Sequence, residues 1–79
     1  MSRYVILIAK AGNNYSAYAP DVPGCGATGA TIEEVTRELR DALAFHFEGL
    51  QAGGEPIPLP LATDTAFVDV DIPAPSRSV

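Results

Sequence analysis

One segment of this 79-residue sequence has the apolar periodicity of an α-helix. Thr31 and Glu34 form a capping box, in which the threonine accepts from the third helical amide and the glutamate reaches back to the amide of Thr31. Apolar side chains then recur every three or four residues to about Gln51, and Gly53 is a typical stop signal. The stripe comprises Ile32, Val35, Leu39, Ala42, Leu43, His46 and Leu50, with Phe47 beside it.

The residues before this helix predict three strands. Residues 3–9 are β-branched, aromatic and apolar on both faces, which is typical of a buried central strand. A Gly-Asn turn follows, and residues 15–19 read as the returning strand. Residues 25–29 contain two glycines and predict a weaker third strand.

The residues after the helix predict a linker and a last strand. Residues 54–60 carry a proline at every second position, which favours polyproline geometry. Residues 66–72 alternate between apolar and acidic side chains as a half-buried strand does. We therefore predict one domain over residues 1–72 and a flexible tail over residues 73–79.

The predicted order β-β-β-α-β defines an α+β fold. It consists of a small antiparallel sheet of three to four strands, with one helix packed on one face. Because one helix covers one face, the other face is expected to be covered by a second copy or a partner. Self-association to a dimer or tetramer is therefore expected.

Charge and cysteine content exclude several classes of function. Ten acids against five bases give a net charge of −5, which opposes nucleic acid as the main partner and suits a basic protein. The single Cys25 excludes an internal disulfide framework and fits a reducing cytoplasm. The N-terminal apolar run is too short for a membrane span and poor as a signal peptide.

The polar residues predict no catalytic, cofactor or metal site. His46 is the only histidine and lies within the apolar stripe, so we interpret it as packed. Cys25 is interpreted as a small buried side chain near a turn. Asp69 and Asp71 could share one face of a strand with Asp21 nearby, but a solvated sheet edge is the favoured interpretation.

The outer side of the helix is the predicted partner-binding surface. Phe45 lies away from the apolar stripe beside polar residues, where it marks a contact surface or folds onto a neighbouring leucine. The helical segment carries five acids against two arginines, which suits a basic partner. The predicted partner-binding residues are Glu38, Asp41, Phe45 and Glu48.

Residues 17–35 read AYAPDVPGCGATGATIEEV, and they resemble the HicB-like antitoxin family. The similarity extends over about residues 3–72, because a Glu-Gly-Leu helix end and a Glu-Pro-Ile-Pro-x-Pro linker follow in the same order. The motif residues, which we expect to have structural roles, are Pro20, Asp21, Pro23, Gly24, Cys25, Gly29 and Thr31.

The resemblance implies a partly degraded ribonuclease-H-like fold without its catalytic acids. It also implies the antitoxin half of a type II toxin–antitoxin pair, whose partner is a small basic HicA-like mRNA interferase. Two alternatives stay open: a stand-alone oligomeric adaptor without a toxin, and a small nuclease-like hydrolase. Longer family members carry a C-terminal DNA-binding segment that is not found in these 79 residues, so this chain alone is not expected to bind DNA.

Overall fold

The computed structural model describes residues 2–74, which form three strands followed by one helix. The strands are β1 (Leu7–Ala11), β2 (Asn14–Tyr18) and β3 (Gly26–Gly29), and the helix is α1 (Ile32–Ala52). The strands pair antiparallel in the order β1-β2-β3, and α1 packs on one face of this sheet. The predicted α+β class is confirmed.

A two-residue loop closes the first hairpin. Ala11 pairs with Asn14, so Gly12 and Asn13 form the turn. Gly12 has a φ of 62°, whereas no residue other than glycine has a positive φ in the described range. A positive φ at the first loop position alone is the pattern of a type II′ turn, which sets the register of β1 on β2.

The prediction of a buried central first strand was wrong. The strand begins at Leu7, lies at the edge of the sheet and is exposed at all five positions. Leu7 pairs with Tyr18 on the sheet face that α1 does not cover, and these side chains are 40% and 54% exposed. On the helix side of this run Ile6 packs against the core, whereas Leu7 on the open face stays exposed.

The core lies between α1, the end of β2 and the turn that follows β2. Val35, Leu39 and Leu43 from the helix pack against Ala17, Ala19 and Val22. The predicted helical stripe is therefore buried in its middle, whereas Ile32 at its start is exposed. Tyr4 and Phe47 extend the core, with ring centroids 5.3 Å apart.

Both ends of α1 are capped by the residues that were predicted to cap it, with one difference. The Glu34 amide donates to Thr31 Oγ1 at 3.0 Å, as a capping box requires. The Glu34 carboxylate instead accepts from the Ala30 amide at 2.8 Å, one residue before the predicted donor. At the other end Gly54 has a φ of 72°, and the amides of Gly54 and Glu55 donate to Gln51 and Leu50, which forms a Schellman motif.

The predicted last strand is not formed. Residues 55–74 contain no helix or strand, and every residue from 63 to 74 is exposed. An extended segment becomes a strand only when a neighbouring strand accepts its hydrogen bonds, and residues 66–72 have no such neighbour within the described chain. Residues 75–79 of the predicted tail lie outside the described residues.

Gly29 permits a close approach between β3 and the backbone of α1, which predicts a strong effect of adding one methyl group. A Cβ on Gly29 would lie 2.7 Å from the backbone nitrogen of Val35. We expect Gly29→Ala to lower the free energy of unfolding by about 1–3 kcal/mol, because helix and strand must move apart. Gly49→Ala is the matched control: a Cβ there meets no atom within 4 Å, so it should raise stability by up to about 1 kcal/mol. Equal urea midpoints for the two variants would contradict this close contact.

Candidate partner-binding surface

The four residues that were predicted to bind a partner share one exposed face of α1. Glu38, Asp41, Phe45 and Glu48 are separated by three, four and three positions, which places them within an arc of about 80° at 100° per residue. All four are exposed, whereas Leu39 and Leu43 point to the core. We call these four residues the partner face.

Phe45 is the apolar centre of the partner face. Its side chain is 78% exposed, so it is not folded onto a neighbouring leucine. It borders a shallow groove between the C-terminal half of α1 and the start of β3. The groove is lined by Gly24, Cys25, Gly26, Ala42, Phe45, His46, Gly49 and Leu50.

The groove brings Cys25 and His46 to the same place, which sequence reasoning did not foresee. Both side chains are half-buried, and the ring of His46 lies 6.2 Å from that of Phe47 between centroids. The only local signal was the spacing of Ala42, His46 and Gly49 on one side of the helix. Because the lining is mostly apolar, the groove can receive an apolar side chain of a partner beside Phe45.

The partner face is electronegative. Three of its four residues, Glu38, Asp41 and Glu48, carry an exposed carboxylate, and the last turn of α1 contains no basic residue. The aligned peptide dipoles of a helix also give its C-terminal end a partial negative charge. The negative charge of the acidic side chains and the negative end of the helix dipole therefore coincide on the C-terminal half of α1, where Phe45 and Glu48 lie.

The Pro-Asp-x-Pro-Gly-Cys motif shapes the turn between β2 and β3. The Val22 amide donates to the Ala19 carbonyl at 3.0 Å, Gly24 has a φ of 82°, and Val22 is thereby placed in the core. Asp21 Oδ2 accepts from the Ala62 amide at 2.9 Å and so holds the linker on the turn. The Tyr4 hydroxyl donates to the Pro58 carbonyl as a second anchor.

The acids that were considered for a metal site lie in different surroundings. Asp21 is engaged with Ala62, whereas Asp69 and Asp71 are exposed on the segment that forms no strand. Within residues 2–74, no three His, Cys, Asp or Glu side chains are close enough to hold one metal ion.

The hydrogen bond from Ala62 to Asp21 predicts a local loss of order when the carboxylate is removed. Asp21→Ala leaves the Ala62 amide without its partner, and we expect a loss of about 1–2 kcal/mol in unfolding free energy. Hydrogen exchange at the Ala62 amide should accelerate with it. Asp21→Asn is the control, because its amide oxygen can still accept and should retain most of the protection. Equal protection of Ala62 in the alanine variant and the wild type would show that this bond does not hold the linker.

No helix in residues 2–74 combines the length and the apolar character that crossing a bilayer requires.

A comparison with known protein families identifies the family of this chain. Residues 4–73 match the family model of the HicB-like antitoxin of bacterial toxin–antitoxin systems. The chain therefore belongs to the HicB-like antitoxin family, as its motifs indicated.

Two relatives have names that describe no activity. An uncharacterised 14.9 kDa protein from the rep-hol intergenic region of Haemophilus phage HP1 is 38% identical over 55 residues, which are 70% of this chain and 41% of the phage protein. The UPF0150 protein ssr1765 of Synechocystis is 32% identical over 56 residues, which are 70% of this chain and 71% of that protein. The chain thus spans less than half the length of the phage relative. No solved structure matches the chain significantly.

Proposed function

We propose that this chain is the antitoxin of a type II toxin–antitoxin pair in the bacterial cytoplasm. It binds and masks a small basic HicA-like mRNA interferase. The observation that carries the proposal is membership of the antitoxin family over residues 4–73. The net charge of −5 supports it, because an enzyme that binds mRNA needs a basic surface that an acidic protein can cover.

The partner face supplies the two kinds of contact that tight masking requires. Glu38, Asp41 and Glu48 attract a basic protein and raise the rate of encounter. Charge alone fixes little of the final affinity, which comes from an apolar centre that excludes water. Phe45 and the groove beside it supply that centre. Binding on the partner face thus covers the basic RNA-binding surface of the toxin with acidic side chains.

Co-expression tests the proposal in cells. The neighbouring reading frame should encode a small basic protein that stops growth when it is induced alone. Induction of this chain should restore growth, and the two proteins should co-purify. The control is a variant with the core substitution Leu39→Ala, which should lose the rescue if its fold is lost. If no neighbouring frame is toxic and no basic protein co-purifies, the antitoxin function is wrong.

The alternative function is that of a stand-alone oligomeric adaptor. The observation that favours it is the open face of the sheet, where Leu7 and Tyr18 are exposed beside each other. We propose homo-oligomerisation in either case, as a dimer or tetramer, because α1 covers only one face of the sheet. The adaptor function is the one left if co-expression finds no toxin.

We also propose that the chain is not an enzyme and does not bind DNA by itself. The acids considered for a nuclease site are not grouped among residues 2–74, and the five basic residues are scattered along the sequence. Purified protein should leave single- and double-stranded RNA intact with Mg²⁺ or Mn²⁺, and should not shift DNA from upstream of its own operon. RNA cleavage that Asp21→Ala or Asp69→Ala abolishes would contradict the first statement. Tight, sequence-dependent DNA binding would contradict the second.

A further inference from the structure

Within residues 2–74, two segments whose sequences suit a strand have a backbone edge with no hydrogen-bonded neighbour. The first is the outer edge of β1, because Leu7–Ala11 pairs with β2 on one side only. The second is residues 66–72, which we call the C-terminal arm. The arm leaves the body beside residues 3–6, since residues 62–65 line the same cleft, and then makes no strand.

The arm has the side-chain pattern of a strand with one buried face. Val68, Val70 and Ile72 share one side with Ala66, and Asp69 and Asp71 share the other with Phe67. The large apolar side chains of the arm are 75% to 99% exposed. Water-exposed apolar side chains in such a contiguous segment mark a surface that is buried by association.

The edge of β1 is the better of the two sheet edges for receiving this arm. It has five residues, contains no proline and carries one charged side chain, Lys10. The outer strand on the other side, β3, has four residues, two of them glycine, and its Gly29 already abuts the backbone of α1. An unpaired edge without proline and with a single charge can still serve as a template for strand addition.

Charge complementarity sets which way the arm faces. Lys10 is the only charged residue in the three strands, and its Nζ lies 5.8 Å from the ring centroid of Tyr15, its partner in the sheet register. The acidic row of the arm, Asp69 and Asp71, suits the sheet face of Lys10. Val68 and Val70 then fall on the open face with Leu7 and Tyr18, where they enlarge one apolar surface.

We propose that the C-terminal arm of one copy adds as a strand to the β1 edge of a second copy, and that the exchange is reciprocal. A second copy is the occupant because every residue of the arm is exposed and none pairs with its own β1, while each copy carries the same unpaired β1 edge. Reciprocal exchange forms a closed dimer and leaves neither β1 edge unpaired. The inference does not rest on toxin binding.

Disulfide trapping between differently tagged copies tests the exchange. In a Cys25→Ala background, one copy carries Ala9→Cys on the open face and the other carries Val70→Cys in the arm. We expect a mixed disulfide dimer after equilibration and mild oxidation. Val70→Cys mixed with Glu38→Cys on the partner face is the control and should give at most a trace. If a single chain carrying both Ala9→Cys and Val70→Cys forms its disulfide only as a monomer, the arm closes on its own sheet and the proposal is wrong.

Sedimentation equilibrium gives an independent answer. The unmodified chain should be a dimer, and a double variant with Asp69→Pro and Val70→Pro should weaken it about tenfold or more. Amides of neighbouring residues point to opposite edges of a strand, so one of the two prolines must remove a ladder hydrogen bond to β1. Val70→Thr keeps the amide and the β-branched shape, so it should remain a dimer. Both variants should keep their helical circular dichroism, since no residue of the arm lies in the core. A monomeric wild type at every concentration, or a double-proline dimer of unchanged affinity, would overturn the exchange.

Discussion

Replacing Leu39 by alanine is expected to lower the free energy of unfolding by about 2–5 kcal/mol. Leu39 is 0% exposed and is among the largest fully buried side chains of the core. Domains have about 0.05–0.15 kcal/mol of stability per residue, so a chain of this size has roughly 4–12 kcal/mol in total. The substitution therefore removes a large part of the stability.

Urea unfolding followed by circular dichroism measures this effect. Leu61→Ala is the matched control, because Leu61, directly after the linker, is 77% exposed and its truncation should change stability by less than about 0.5 kcal/mol. A Leu39→Ala midpoint equal to that of Leu61→Ala would contradict the packing of α1 on the sheet. If the wild type dimerises, both variants are compared at one protein concentration, since association adds to the apparent stability.

Replacing Phe45 by alanine should weaken binding of the toxin about 30-fold or more. A central aromatic side chain of an interface costs about 2 kcal/mol or more when it is truncated, and each 1.4 kcal/mol is a factor of ten in the dissociation constant. The fold should be unaffected, because Phe45 is mostly exposed. Ile32→Ala is the matched control, since Ile32 is an exposed apolar residue of the same helix outside the partner face. Equal affinities of the two variants would place the toxin elsewhere.

The acids of the partner face should act on the rate of association more than on the rate of dissociation. Reversing Glu38 and Asp41 to lysine should slow association and flatten its salt dependence, because long-range attraction is screened by salt. Reversing Glu55 and Asp64 is the control, as it changes the net charge equally at positions away from the partner face. Equal slowing by both pairs would show that net charge attracts the toxin, with no role for this face.

The helix was the most predictable element because its signals are local. The capping box and the apolar spacing marked its start, and Gly53 marked its end to within one residue. The Glu34 carboxylate accepts a hydrogen bond from the amide of Ala30 and not from that of Thr31. Which amide donates depends on the path of the chain into the helix, which the motif does not determine. The first strand was predicted less well, because it begins four residues later than expected.

The errors concern neighbours in space. An apolar run on both faces does not distinguish a central strand from an edge strand whose open face lacks a partner, and residues 3–9 were misjudged for that reason. Alternation in residues 66–72 indicates the two sides of a strand but not the edge on which it pairs. The hydrogen bond between Asp21 and Ala62 joins residues 41 positions apart, and no local sequence pattern predicts it. Helical spacing alone predicts that Glu38, Asp41, Phe45 and Glu48 share one face of α1, whereas the groove beside Phe45 also depends on the turn that brings Cys25 to the helix.

Titration of the toxin with this chain measures antitoxin function most directly. The protein encoded by the neighbouring frame is purified alone, and its cleavage of mRNA is followed as this chain is added. Cleavage should fall to background when antitoxin binding sites equal toxin molecules, and Phe45→Ala should require a higher concentration than Ile32→Ala. Undiminished cleavage at excess wild-type chain, with no complex between the two proteins, would contradict the proposed function.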